Sequence, residues 1–168
     1  QAAEASRSLI TTRLLVNHGR STEAVKKAIS DMENGPQPSW NVHEQLSISY
    51  LPALTQTDFD HLLWACDLNF VRGEDSLVRA IWAGKPFVWQ IYPQSDNAHH
   101  VKLDAFLAML GADASLRRFH HVWNGVETGA LPSLALAGWR EIVEQCLSRL
   151  TAQDDLATQL LQFVEKKR

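Results

Sequence analysis

The chain has 168 residues, 45% of them apolar, with 16 basic and 19 acidic side chains and a formal charge of -3. That apolar share supports one sizeable core and is too little for two ordinary domains, so a single globular domain is expected. The charges are interspersed and leave no basic stripe for a phosphate backbone, and no apolar run approaches the roughly 18–20 residues of a membrane helix, which argues against nucleic acid and membrane alike.

Residues 1–10 carry little pattern and begin without Met, so they read as a linker or an artificial start ahead of one domain over 11–168. Arg13 to Asn17 reads as a strand built on Leu14-Leu15-Val16, turning at Gly19 into a helix that Ser21 is placed to cap. Two prolines and a glycine in Asn34-Gly35-Pro36-Gln37-Pro38 end that helix. Leu46, Ile48 and Tyr50 then alternate with polar residues, the period of two of a half-buried strand.

Thr57 and Asp60 have the spacing of a capping box ahead of Leu62-Leu63-Trp64. Asp67 to Val71 reads as a third strand and leads through Arg72-Gly73-Glu74-Asp75-Ser76 into a helix that stops at Gly84 and Pro86. Phe87-Val88-Trp89-Gln90-Ile91 is a continuous apolar run of the kind buried on both faces. Helices are expected over roughly 97–110, 113–124, 133–150 and 153–166. Strands alternating with helices imply an α/β fold, a parallel sheet with helices on both faces.

In such a sheet ligands bind where strands end and helices begin. Gly73 stands just before a helix N-terminus, whose free amides and positive dipole end suit an anion, and Ser76 adds a hydroxyl. Glu74 and Asp75 would repel a pyrophosphate if they faced it, so at least one must turn toward sugar hydroxyls or toward Arg72. By spacing alone the stronger reading is that acidic residues in a first helical turn simply complement the helix dipole. Tyr92, after the fourth strand, is placed either to stack on a ring or to lid the core.

No metal site stands out. His99-His100 and His120-His121 diverge by about 100° on a helix, so structural or surface roles are expected. Cys66 and Cys146 lack a CxxC partner and read as reduced thiols, with a disulfide as the lesser alternative.

Three stretches carry a resemblance. They are Leu51-Pro52-Ala53-Leu54-Thr55-Gln56-Thr57-Asp58-Phe59-Asp60, Leu63-Trp64-Ala65-Cys66-Asp67-Leu68-Asn69-Phe70-Val71-Arg72-Gly73-Glu74-Asp75-Ser76, and Trp82-Ala83-Gly84-Lys85-Pro86-Phe87-Val88-Trp89 with Ile91-Tyr92-Pro93-Gln94. Together they resemble the C-terminal signature of EarP, the protein-arginine rhamnosyltransferases of elongation factor P. The likeness is close over residues 46–110 and loose on either side.

The resemblance implies the Rossmann-like C-terminal half of a GT-B glycosyltransferase, which binds dTDP-rhamnose for inverting transfer to an arginine of elongation factor P, with no metal or other cofactor. Carried over by position, it puts Gln56 and Phe59 at the thymine, Arg72 and Tyr92 at the diphosphate, and Gly73, Glu74, Asp75 and Ser76 at the ribose and phosphates. Glu74 is the residue it makes indispensable and catalytic. It also implies a bacterial cytoplasmic protein and an N-terminal acceptor-facing domain that carries the family's catalytic aspartates and has no counterpart here, so that this chain alone would be inactive. Gln90 stands where many members have His. A non-catalytic nucleotide-binding or signalling module with a flavodoxin-like sheet is the alternative, and a ligand-free interaction domain, with the Arg72–Ser76 turn as a mere helix cap, is the third reading.

Overall fold

The computed structural model describes residues 12–35 and 45–166. The reading of residues 1–10 as a linker lies outside them. Contacts divide the chain into two compact units, Gln1–Phe59 and Asp60–Arg168.

In the first unit, β1 (Thr12–Val16) pairs in parallel with β2 (Leu46–Tyr50), placing Leu14 beside Ile48 and Val16 beside Tyr50. Between them in sequence lies α1 (Arg20–Glu33). Ser21 does not cap it. Gly19, at φ 91°, stands at the cap position with no side-chain cap, while Thr22 Oγ1 donates to the Asn17 carbonyl at 2.9 Å. The predicted alternation in β2 fails at Tyr50, which is exposed with the Lys26 ammonium 5.5 Å from its ring centre.

The helix α2 (Gln56–Ala65) starts two residues earlier than the capping signal at Thr57 predicts. Thr55 is the cap: its Oγ1 accepts from the Asp58 amide at 3.1 Å and donates to the Asp58 carboxylate at 2.7 Å. The Thr-x-x-Asp pattern occurs twice, offset by two, and Asp60 is drawn away by a bidentate pair with Arg79, both oxygens at 2.9 Å.

The second unit holds a second parallel ladder, β3 (Asn69–Arg72) with β4 (Phe87–Gln90), joined in sequence by α3 (Glu74–Ala83). The α/β class is thus met with parallel pairing throughout, but the strands are hydrogen-bonded as two two-stranded sheets where the pattern predicted one. Gly84 closes α3 in the left-handed conformation, as its sequence signal predicts. Four helices follow: α4 (Ala98–Leu110), α5 (Ala114–Trp123), α6 (Leu136–Thr151) and α7 (Leu156–Glu165). Phe87 and Trp89 meet Phe106 of α4, while Phe119 of α5 makes an edge contact with the fully buried Trp139 of α6. Arg149 of α6 donates to the Met109 and Leu110 carbonyls that end α4, at 2.9 and 3.3 Å. Cys66 and Cys146 are free thiols. No described helix is long and apolar enough to cross a membrane.

One edge of β4 faces β3; on the other, backbone groups of Trp89 and of Ile91 just beyond the strand are met by side chains of His120 in α5 and of Asn124 at its C-cap. His120 Nε2 accepts from the Trp89 amide at 3.1 Å, Asn124 Oδ1 accepts from the Ile91 amide at 2.9 Å, and Asn124 Nδ2 donates to the Trp89 carbonyl at 2.9 Å. His120 and Asn124 are four apart, so they share one helix face. Because Nε2 accepts, the ring proton sits on Nδ1 and donates to the Leu116 carbonyl at 2.9 Å. Burial pushes the imidazole from its ordinary 6.5 down to about 4.

The unfolded chain therefore takes up this proton near pH 6.5 and the native one only near pH 4, so the stability His120 gives is complete above 6.5 and drains away as pH falls. Lowering the pH through that window is expected to cost about 3 kcal/mol through this one group. Urea unfolding of the native chain and of His120→Gln at pH 7.5 and 4.5 checks it: the variant is less stable at the higher pH and loses less between the two.

Candidate functional site: the turn between β3 and α3

The turn from β3 into α3 is held from three directions. Gly73 N–H donates to the Gln90 carbonyl at 3.4 Å, which continues the β3–β4 ladder by one residue. Its carbonyl accepts the Leu77 amide at 3.2 Å and the Trp89 indole N–H at 3.1 Å. With φ 79° and ψ 171° at this position, and with a Cβ there 3.0–3.1 Å from the Tyr92 ring and hydroxyl, no residue but glycine fits without displacement. The first helical hydrogen bond is that of Leu77, so the amides of Asp75 and Ser76 lie in the opening turn without an intrahelical acceptor.

Of the residues that the sequence singles out, six meet here. Arg72 ends β3 and stacks its guanidinium over the Tyr92 ring at 4.9 Å. Gly73 is the cap, and Glu74, Asp75 and Ser76 form the first turn of α3. Tyr92 is exposed just beyond β4, in a loop fixed at its far end where the Gln94 amide donates to His99 Nδ1 at 3.1 Å. Gln56 and Phe59 are in the first turn of α2, Gln56 exposed and Phe59 half-buried, in the other unit.

The carboxylates find partners that the sequence reading did not name. Asp75 accepts from Arg79 Nε at 3.2 Å, four residues along α3, and Arg79 is itself gripped by Asp60. Glu74 accepts from Lys102 Nζ of α4 at 2.6 Å. That ammonium, and next the amide of Glu74 itself, hold the Glu74 carboxyl below its usual range, so it is ionised at neutral pH. Arg72, the partner expected for one of the acids, stacks on Tyr92 and has no carboxylate partner among the described residues.

Sequence reasoning missed Lys102, Arg79, Trp89 and His99. The i to i+4 spacing of Asp75 and Arg79 was a legible signal. Nothing local pointed to Lys102, which lies 28 residues from Glu74. His99 and His120 are buried and serve the backbone, in keeping with the structural role expected for the histidine pairs. Among the described residues no group of three or more His, Cys, Asp or Glu side chains is placed to hold a metal ion.

Residues 2–165 match the family described as Elongation-Factor P (EF-P) rhamnosyltransferase EarP. A protein-arginine rhamnosyltransferase of Pseudomonas putida is 41% identical over 162 residues, which is 89% of this chain and 42% of that protein. The corresponding protein of Pseudomonas aeruginosa is 44% identical over 133 residues, covering 73% of this chain and 35% of the relative. A solved structure described as the structural basis for EarP-mediated arginine glycosylation of translation elongation factor EF-P superposes with a TM-score of 0.70 at 32% identity, covering 94% of this chain and 53% of that one. The chain thus spans less than half the length of the curated relatives that it matches. A match over nearly the whole chain, on a fold that carries the glycine turn, the paired acids and the stacked arginine, shows that this chain belongs to the EarP family.

Proposed function

We propose that this chain is the donor-binding half of a protein-arginine rhamnosyltransferase. It takes a GT-B, Rossmann-like role: it holds dTDP-rhamnose while a preceding half presents an arginine of bacterial elongation factor P in the cytoplasm. The observation that carries this reading is the fixed turn of Gly73, whose opening amides lie beside the Arg72–Tyr92 stack in a member of the EarP family. Helix-opening amides and a guanidinium are the groups that a diphosphate needs, and they act without a divalent ion. Glu74, Asp75 and Ser76 then meet the ribose and phosphates.

The chemistry divides accordingly. A guanidinium is cationic up to a pKa above about 12 and is a poor nucleophile, so a carboxylate must orient it and spread its charge, a role we assign to the other half of the enzyme. Rhamnose passes to that nitrogen with inversion, and the departing diphosphate is steadied by donors already in place before the bond breaks. Glu74, ionised at rest, accepts from a donor hydroxyl and so fixes the sugar nucleotide. Transfer needs both halves, and this chain alone binds without turning over.

The binding claim is open to a thermal-shift measurement without magnesium. At dTDP tenfold over its dissociation constant the native state gains about 1.4 kcal/mol, a rise of roughly 3–6 °C for a chain of this size. UDP and ADP shift it less, and Arg72→Ala or Glu74→Ala shrinks the dTDP response. A flat response to millimolar dTDP, or an equal one to all three nucleotides, leaves a module of another kind. Gly73→Ala is expected to cost roughly 1–3 kcal/mol through its backbone angle and to displace Tyr92. Its melting temperature and dTDP response both fall, whereas a turn that is only a helix cap would lose the first and have no second.

A further inference from the structure

Lys102 stands apart from the residues that the family resemblance assigns. It lies in α4, about one turn from the loop that carries Tyr92, yet its ammonium reaches back to Glu74 at 2.6 Å and lies 5.9 Å from the centre of the Trp89 ring. Trp89 is in turn bonded through its indole to the Gly73 carbonyl. Lys102 is thus joined to the glycine turn twice, once through a carboxylate and once through an aromatic face.

Such a pair adds little to folding. Both side chains are about half exposed, 52% for Lys102 and 55% for Glu74, and water screens an ion pair so placed. Its effect falls on the turn. There the two acids are balanced by two cations from elsewhere in the unit, Arg79 at Asp75 and Lys102 at Glu74, while Arg72 keeps its charge unshared by any described carboxylate. Removing Lys102 would leave an ionised Glu74 at the mouth of a turn whose other task is to receive an anion. Charge of like sign a few ångströms from a diphosphate opposes its binding.

We propose that Lys102 is a positioning residue of the nucleotide site: it holds the Glu74 carboxylate clear of the Asp75 and Ser76 amides and supplies the cation facing a nucleoside diphosphate from α4. This rests on the donor-binding reading above. When the diphosphate enters, the ammonium serves both anions, and Glu74 is left oriented for a hydroxyl rather than set against a phosphate.

The test titrates the native chain, Lys102→Met and Lys102→Arg with dTDP by calorimetry and with thymidine, which carries no phosphate, by NMR chemical shifts. Loss of a charge-assisted contact should weaken dTDP binding to Lys102→Met by about tenfold or more. Thymidine affinity stays unchanged, Lys102→Arg binds dTDP close to the native chain, and the unliganded melting temperatures agree within a few degrees. Unchanged dTDP affinity in Lys102→Met overturns the proposal, as does a parallel loss of dTDP and thymidine, which would make the ion pair architectural. If the native chain itself binds no dTDP, the donor-binding reading fails and this inference falls with it; a native chain that binds dTDP while Lys102→Met binds it equally well sinks only the role of Lys102.

Discussion

The hydrogen bond from the Trp89 indole to the Gly73 carbonyl is the joint on which the second unit turns. Trp89 is buried in β4 with its ring edge-on to Phe106, and its backbone amide and carbonyl are both bonded to α5. A single residue therefore ties the apolar core, the helix behind the strand and the carbonyl that begins α3. An indole offers a large apolar body with one polar atom, and the one donor it has is spent on the residue whose geometry matters most for the turn. Gly73 then has its amide and carbonyl both engaged, which fixes the opening turn of α3 to the strand pair.

The electrostatics of the turn follow from the same rigidity. Two acids in the first turn complement the helix dipole, which was the plain reading of their spacing. Their partners show how that is compatible with an anion site: Asp75 is turned along α3 to Arg79, and Glu74 across to Lys102. Arg79 is held in turn by Asp60, so Asp60, Arg79 and Asp75 form a run of alternating sign, while Arg72 lies over the Tyr92 ring. The objection that two carboxylates would repel a pyrophosphate thus meets an arrangement in which both are already committed to cations.

Much of the fold was legible because it rests on local chemistry. The apolar run at Phe87 to Trp89 is a buried strand, Gly84 stops α3 in the left-handed conformation, and the alternation of strands with helices implies the parallel pairing that is found. Errors arose where local signals compete. Thr55 and Thr57 each precede an Asp by three, and only the distant Arg79 decides between them, by taking Asp60 out of contention. Ser21 has a capping side chain, but Gly19 supplies the backbone angle that the turn needs, and the helix starts earlier. At the turn, Gly73 and Tyr92 drew notice because a glycine before a helix and an aromatic after a strand are recognisable in one dimension, whereas a role for Arg72 came from the family resemblance. Lys102 and Trp89 did not, since the pairing of residues 74 with 102, and 73 with 89, exists only once α3 and α4 have been placed against β4.

The clamp of His120 and Asn124 on β4 gives the small ladder a direction. Sheets commonly grow by accepting another strand at an unguarded margin, whether in assembly or in aggregation. Here the α5 side of β4 has its amides at Trp89 and Ile91 already occupied, so an incoming segment would have to evict a neutral imidazole and a carboxamide before it could zip on. Acid strong enough to charge His120 would remove half of that guard.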